Sequence, residues 1–201
     1  MYALMMGHTV EGQFCQVVPI TALVGLVYAL GRYRQLKKRG KDIAWGAEIT
    51  RLLFVCYLTG LVNLVLVPVN LWTAIWFYLF NGYSGTTVAP LFSGAFNFVP
   101  TLVRVLRGEY VVGSWVRTMI GVNALMFVPM GVFLPLVSKK VNGRNIAPLA
   151  LAIPAAIELI QPIIGRSFDV DDIIMNGIGI LAGYLFCRLA KRAARTVNHR
   201  T

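Results

Sequence analysis

The hydrophobic positions of this chain fall into long apolar stretches that are separated by short polar or charged segments. An α-helix needs about 20 residues to cross the hydrocarbon core of a bilayer, and five of the stretches approach or reach that length. They cover residues 13–31, 52–71, 115–137, 146–164 and 173–189. The pattern predicts an all-α fold, a polytopic bundle of transmembrane helices with five spans. Because we find no tandem repeat and no linker, we expect a single domain over residues 1–201.

Residues 72–103 are nearly as apolar as the five spans but carry several turn signals. Asn-Gly and Ser-Gly pairs predict breaks in a helix, and the many aromatic side chains resemble the belt at a membrane interface. A sixth crossing would also move the basic residues of segment 139–144 away from the side of the other basic loops. We therefore expect residues 72–103 to form a re-entrant or interfacial segment.

The composition places the chain among integral membrane proteins. Hydrophobic residues make up 57% of it and charged residues 13%, and its mean hydropathy is +0.69. A soluble domain of this length would need more charge on its surface. The net charge of +11 does not indicate nucleic-acid binding, because the basic residues lie between apolar segments and not on one face of a folded domain. We expect no nucleic-acid partner.

The soft metal ligands of the chain are few and scattered. Three cysteines lie in or beside apolar stretches, and the two histidines are close to the two ends of the chain. These spacings match neither a zinc site nor a haem site. We therefore expect no metal site, no cofactor and no disulfide framework.

The basic residues predict the orientation of the helices. Fifteen of the nineteen lie in the first loop, in the loop before residue 146 and in the C-terminal tail. The positive-inside rule places these segments in the cytoplasm. We therefore expect a multi-pass protein of the plasma membrane, with its N-terminus outside and its C-terminus in the cytoplasm.

Polar and ionisable residues inside the spans mark the candidate site. Such groups are costly at bilayer depth and usually face a protein interior or a wet cavity. Glu158 and Gln161 share a face of the fourth predicted helix, and Asp172 and Asn176 share a face of the fifth. Asn123 lies at a similar depth in the third helix. We expect these side chains to meet in one outward-facing region.

Structural roles compete with functional ones for several of these residues. An acidic residue stabilises the start of a helix, so one of Asp171 and Asp172 is expected mainly to cap the fifth helix. Amides inside the spans are suited to bridge neighbouring helices, and the Gly179–Gly183 pair is suited to close helix packing. A functional role is favoured for Glu158, because its own helix carries no Lys or Arg within one turn of it.

Five short motifs, in this order along the chain, resemble the VanZ-like family of bacterial membrane proteins. They lie at residues 51–60, 96–100, 123–131, 158–161 and 165–176, and the resemblance extends over about residues 50–188. The motif residues of the family correspond to Asn97, Asn123, Pro129, Glu158, Gln161, Arg166, Asp169, Asp172 and Asn176. The resemblance implies a cell-envelope protein of the Gram-positive type, related to resistance against teicoplanin and similar lipoglycopeptides.

Two functions fit these observations best, a scaffold for another envelope protein is a third alternative, and the sequence leaves the choice open. In the first, the protein binds or moves an envelope lipid, a lipid-linked cell-wall precursor or the lipoglycopeptide itself through an outward-facing polar cavity. Arg117 and Arg166 would donate hydrogen bonds to a phosphate or a carboxylate. The binding candidates are Asn97, Arg117, Asn123, Gln161, Arg166, Asp169, Asp171 and Asn176.

In the second, the protein is an intramembrane enzyme that modifies a polyprenyl- or phospholipid-linked envelope substrate. Asp169, Asp171 and Asp172 would hold Mg²⁺ against a pyrophosphate, and Glu158 would act as a general acid or base. Glu158 and Asp172 are catalytic candidates under this alternative alone. The sequence does not predict the oligomeric state.

Overall fold

A computed structural model describes residues 10–40, 42–68, 70–83, 86–109 and 113–198 of the chain. It is 75% helical with seven α-helices in these residues, and it confirms the predicted all-α membrane-protein fold. The chain forms two compact units, one drawn from residues 1–95 and 160–167 and the other from residues 96–159 and 168–201. The single domain expected over residues 1–201 stays a prediction.

Two long antiparallel helices form most of the first unit, α1 (Val10–Lys38) and α2 (Trp45–Val65). A small residue lets them approach closely, since a Cβ atom added at Gly25 of α1 would lie 2.7 Å from Sγ of Cys56 in α2. At the other end of the pair, Nε of Arg32 lies 2.7 Å from Oε2 of Glu48. The two contacts together define the register of α1 against α2.

Helix α2 ends at Val65, before the end of the predicted span over residues 52–71. Pro68 lacks a backbone N–H and disfavours helical geometry in the residue before it, so the helix does not continue through it. Asn70 then adopts a left-handed conformation with a φ of 66° and precedes helix α3 (Leu71–Asn81). The second apolar stretch is therefore a helix followed by a turn.

Helix α3 is short, and its tryptophans donate hydrogen bonds to α1 and α2. Its 11 residues correspond to about 16 Å of helix, roughly half the thickness of the hydrocarbon core. Nε1 of Trp76 donates to the carbonyl of Gln16 at 3.1 Å, and Nε1 of Trp72 donates to Oδ1 of Asn63 at 3.1 Å. The described residues of segment 72–103 thus contain no sixth spanning helix, and its re-entrant or interfacial placement stays a prediction.

Three long helices dominate the second unit. Its elements in chain order are β1 (Phe96–Asn97), α4 (Thr101–Leu106), α5 (Ser114–Val137), α6 (Ile146–Ile160), β2 (Phe168–Asp169) and α7 (Val170–Asn198). The two strands pair in parallel, and a 3-10 turn at Gln161–Ile164, which belongs to the first unit, follows α6. Helices α5 and α7 run parallel to each other.

Glycines bring the backbones of α5 and α7 into direct contact. A Cβ atom added at Gly179 would lie 2.1 Å from the carbonyl oxygen of Ala124, and one at Gly183 would lie 2.0 Å from that of Val128. From the other side, a Cβ atom at Gly131 would lie 1.9 Å from the carbonyl oxygen of Ile180. The predicted packing role of Gly179 and Gly183 is confirmed, because no larger residue fits these positions without a shift of the helices.

Four helices in the described part of the chain are long and apolar enough to cross a membrane: Cys15–Lys38, Trp45–Val65, Ile146–Ile164 and Val170–Thr196. A further apolar stretch, Gly121–Val137, lies in α5, which has 24 residues. Several helices extend beyond the apolar stretches predicted from the sequence, because a helical backbone satisfies its own hydrogen bonds beyond the hydrocarbon core as well as inside it. The count of five spans stays a prediction.

Cysteine labelling tests the predicted orientation. In a chain whose Cys15, Cys56 and Cys187 are replaced by alanine, we expect Asn142→Cys to react from the cytoplasmic side and Glu109→Cys from the outside. Both positions are exposed, and they flank opposite ends of α5. A membrane-impermeant maleimide added to intact cells and to inverted vesicles gives the measurement. Reaction of both cysteines from the same side would contradict a spanning α5.

Replacing Gly131 by alanine tests the contact between α5 and α7. Since the added Cβ would lie 1.9 Å from the Ile180 carbonyl oxygen, we expect the free energy of unfolding to fall by about 1–3 kcal/mol through overpacking. Gly121→Ala in the same helix is the control, because no atom of the described residues lies within 4 Å of its added Cβ. Thermal unfolding in detergent measures both variants, and equal losses would count against the close contact.

Candidate functional site

Glu158 is the most deeply buried ionisable residue of the candidate site. It lies near the end of the apolar helix α6, and its side chain is 0% exposed. Its Oε2 accepts a hydrogen bond from the backbone N–H of Asp169 at 3.0 Å. A carboxylate in apolar surroundings is costly unless such donors compensate it, so Glu158 links α6 to the start of α7.

The pairing of β1 with β2 positions two further polar residues. Phe96 pairs with Phe168, and Asn97 pairs with Asp169. The rings of Phe98 and Phe168 lie 5.1 Å apart, and those of Phe96 and Phe168 lie 5.9 Å apart. These aromatic contacts stabilise the short pairing and thereby hold the Asn97 amide beside the Asp169 carboxylate.

A chain of hydrogen bonds runs from Arg104 to the beginning of α7. Nη2 of Arg104 donates to Oδ1 of Asn97 at 2.5 Å, and Nδ2 of Asn97 donates to Oδ2 of Asp169 at 2.9 Å. The other oxygen of Asp169, Oδ1, accepts the N–H of Asp171 at 2.8 Å. Asp169 is therefore the residue that caps α7. Asp171 and Asp172, one of which was expected to cap α7, lie in the first turn of the helix.

Asp171 caps a different helix. Its Oδ2 and Oδ1 accept the backbone N–H of Thr101 at 2.8 and 3.1 Å. Thr101 is the first residue of α4, and Pro100 before it makes no capping hydrogen bond with its side chain. The Asp171 carboxylate therefore compensates an N–H that the helix leaves without an internal acceptor.

Asp172 and Asn176 line one face of α7, one turn apart. Nδ2 of Asn123 in α5 donates a short hydrogen bond to Oδ1 of Asp172. Asn176 is 4% exposed, and its Oδ1 is buried without a hydrogen-bond partner among the described residues. A buried carbonyl acceptor of this kind is rare in a folded protein, because it loses its bond to water and gains none in return.

The structure brings most of the predicted site residues into the second unit. Seven of them, together with Arg104, form what we call the polar cluster: Asn97, Arg104, Asn123, Glu158, Asp169, Asp171, Asp172 and Asn176. The three aspartates of the cluster accept hydrogen bonds from different donors. Within the described residues, no group of three or more His, Cys, Asp or Glu side chains is placed to hold a metal ion.

Two predicted site residues belong to the first unit. Gln161 is 7% exposed, and its Nε2 lies 3.4 Å from the carbonyl oxygen of Val65, to which it donates. Nε of Arg166 donates to the carbonyl of Val67 at 3.1 Å. Because the last carbonyls of α2 have no helical N–H beyond Val65, these two side chains stabilise the end of that helix and the turn after it.

Two arginines, Arg117 and Arg104, show where the sequence prediction of the site was incomplete. Arg117 belongs to α5, but its side chain lies outside the described residues. Arg104 was not among the predicted site residues, although it directly contacts the amide of Asn97. A signal for it exists in the sequence, since Arg104 is one of four basic residues outside the basic loops and tail and follows a predicted motif by a few positions.

Comparison with known proteins identifies one family. A protein-family model described as VanZ/LLP1 matches residues 54–191, about two thirds of the chain. The matched region contains all residues of the polar cluster, together with Gln161 and Arg166. No curated protein and no solved structure matches the chain.

Replacing Asp169 by alanine tests the network at the start of α7. The change removes the acceptor for the Asp171 N–H and for the Asn97 amide. We expect the free energy of unfolding to fall by about 1–3 kcal/mol, the combined effect of a lost helix cap and a lost charged hydrogen bond. Glu109→Ala, at an exposed position of the same unit, is the control. If chemical unfolding gives the same value for both variants, the network does not stabilise the fold.

Proposed function

The chain belongs to the VanZ/LLP1 family, and from this premise we propose that its polar cluster binds a ligand of the cell envelope. Membership fits a multi-pass membrane protein of the teicoplanin-resistance type. The proposed ligand is an envelope lipid, a lipid-linked cell-wall precursor or the membrane-anchored lipoglycopeptide. Binding or moving it would reduce productive contact between the drug and the precursor, and no covalent change of the ligand is required.

The complete burial of Glu158 is the observation that carries this proposal. An ionisable group inside a membrane-spanning helix is costly, and such residues usually belong to a functional site. The hydrogen bond from the Asp169 N–H is one that an amide or a hydroxyl oxygen could also accept, at lower cost of burial than a carboxylate. A carboxylate retained at this position is suited to bind hydroxyl or amide donors of a ligand.

Asn176 supports the same conclusion by a separate route. Its Oδ1 is a buried acceptor that finds no donor among the described residues. A ligand that donates a hydrogen bond to this oxygen would recover the energy lost when the amide was removed from water. Cell-wall precursors and lipoglycopeptides both carry sugar hydroxyls and peptide amides, so they offer donors of the required type.

Binding is favoured over catalysis because the three aspartates already accept hydrogen bonds from other parts of the protein. Asp169 and Asp171 accept backbone N–H groups at the starts of α7 and α4, and both contacts cap a helix. Asp172 accepts from Asn123. A hydrolytic site would need these carboxylates to turn towards a shared ion or a water, which would remove two helix caps.

Substitution of Glu158 by glutamine tests the function. In a susceptible Gram-positive host, we expect the Glu158→Gln protein to lose its protection against teicoplanin completely, because the amide keeps the shape of the side chain but not its charge. The measurement is the minimal inhibitory concentration at matched membrane abundance, verified by immunoblot. Glu109→Gln is the matched control, since this glutamate is exposed, and we expect it to protect as well as the unmodified chain.

Two results would contradict the proposal. Full protection by Glu158→Gln at equal abundance would mean that the buried carboxylate has a structural role alone. A change in the mass of extracted envelope lipids after incubation with the purified protein, absent with the Glu158→Gln variant, would show catalysis instead of binding. We expect the mass spectra of the lipids to remain unchanged.

A further inference from the structure

A basic cavity lies at the far end of α7 from the polar cluster. It has a volume of about 470 Å³, and its lining includes Lys139, Arg188, Lys191, Arg192 and Arg195. An adjoining space of about 450 Å³ shares Tyr184 and Arg188 with it and adds Arg144. We refer to both spaces together as the basic cavity. Arg188 follows Asp172 by sixteen positions, which corresponds to about 24 Å along the helix.

The basic residues of α7 occupy one face of that helix. Arg188, Lys191, Arg192 and Arg195 follow the spacing i, i+3, i+4, i+7, which places them on one side. All four line the basic cavity, whereas the intervening Leu189, Ala190, Ala193 and Ala194 do not. The charge is therefore concentrated towards the cavity and is not spread around the helix.

Gly143 leaves one wall of the basic cavity open. A Cβ atom added there would lie 3.6 Å from the hydroxyl of Tyr184 and 3.7 Å from Nη1 of Arg188. A longer side chain would extend into the space beside these two donors. The surrounding loop is held by its own hydrogen bonds, such as that from Nδ2 of Asn145 to the carbonyl of Lys140 at 2.6 Å. The open space is thus a feature of a hydrogen-bonded loop.

No acidic residue lines the basic cavity, so its cations have no carboxylate counter-ion there. In the part of the chain that the structure describes, the ion pairs join Glu48 or Glu109 to arginines outside the cavity. Nζ of Lys191 donates to the carbonyl of Pro135 at 3.3 Å, which compensates a carbonyl at the end of α5. The cations repel one another, and a bound anion would remove that repulsion.

The positive-inside rule accounts for the number of basic residues at this end of the unit but not for their arrangement. The rule depends on how many Lys and Arg lie near the membrane, and side chains on any face of a helix satisfy it. Here they converge on one concave space together with the hydroxyl of Tyr184 and the amide of Asn142. Guanidinium, ammonium and neutral donors in combination are the groups with which proteins bind phosphate.

We propose that the basic cavity binds a phosphate-bearing anion, with the head group of an anionic phospholipid as the source. Basic pockets beside transmembrane helices are suited to such head groups. Leu136, Leu185 and Leu189 are exposed on the same ends of α5 and α7 and offer an apolar surface to acyl chains. A free phosphate would use the same cations but would gain nothing from these leucines.

Binding to the purified full-length protein in a zwitterionic detergent tests the proposal. The probes are dioctanoyl phosphatidylglycerol, dioctanoyl phosphatidylcholine and inorganic phosphate, and the readouts are a titration and the shift of the unfolding midpoint. We expect phosphatidylglycerol to bind and to raise the midpoint, and phosphatidylcholine, whose choline neutralises the phosphate, to do neither. Tighter binding of phosphatidylglycerol than of inorganic phosphate supports the lipid source, and equal affinities would assign the site to free phosphate.

Charge-matched variants locate the binding. In Arg188→Gln/Lys191→Gln/Arg192→Gln we expect the affinity for phosphatidylglycerol to fall about a hundredfold, at about fivefold for each basic residue removed. Arg34→Gln/Lys37→Gln/Lys38→Gln removes the same charge from the end of α1, outside the basic cavity, and we expect little change. Equal losses in the two triple variants, or binding of phosphatidylcholine as tight as that of phosphatidylglycerol, would overturn the proposal.

Gly143→Leu tests the cavity without changing its charge. The leucine would fill the space beside Tyr184 and Arg188, so we expect the affinity to fall by about tenfold or more through steric exclusion. The φ of Gly143 is not positive, so leucine does not strain the backbone there. An unfolding midpoint equal to that of the unmodified chain, measured without lipid, shows that the variant is folded. Unchanged affinity in a folded Gly143→Leu protein would place the anion elsewhere.

Discussion

The hydrogen bond from the backbone N–H of Asp169 to the buried carboxylate of Glu158 is the interaction on which the second unit depends. Glu158 has no access to water, so the donors around it must replace the hydration that its charge has lost. The same contact holds β2 at the point where it pairs with β1 and where α7 begins. The hydrogen bonds from Arg104 to Asn97 and from Asn97 to Asp169 depend on the position that this contact gives to Asp169.

Helix α7 carries opposite charges at its two ends, and the arrangement agrees with its dipole. Acidic residues occupy its first turn, and basic residues line the face of its last turns. Asp171 and Asp172 in the first turn and Arg195 in the last turn are stabilised by the partial charge of the helix end near which they lie. The proposed ligand site and the proposed phosphate site therefore share one rigid element while remaining about 24 Å apart along it, so a substitution in one can be studied without direct contact with the other.

The polar contacts at one end of α5 and α7 require the close approach of their backbones. Glycines at positions 131, 179 and 183 allow this approach, and Asn123 then reaches Asp172. The sequence predicted the apolar helices, the packing glycines and the shared face of Asp172 and Asn176, because each follows from helical spacing. It did not predict which aspartate caps which helix. Asp169, Asp171 and Asp172 are near neighbours in sequence, and their partners are 49 to 72 residues away.

Local spacing and composition were sufficient to identify the membrane-protein class and the helical stretches, since hydrophobic length and residue periodicity are properties of short segments. The family followed from the resemblance of five short motifs and is shown by the family-model match. The partners of the polar side chains depended on the folded chain. The pairing of Asn97 with Asp169, the contact of Arg104 with Asn97 and the capping of α4 by Asp171 all join distant segments. Likewise, the basic residues of α7 form a cavity because the loop at Gly143 lies against them. A hydrogen bond acts over about 3 Å, and three-dimensional packing decides which groups come that close.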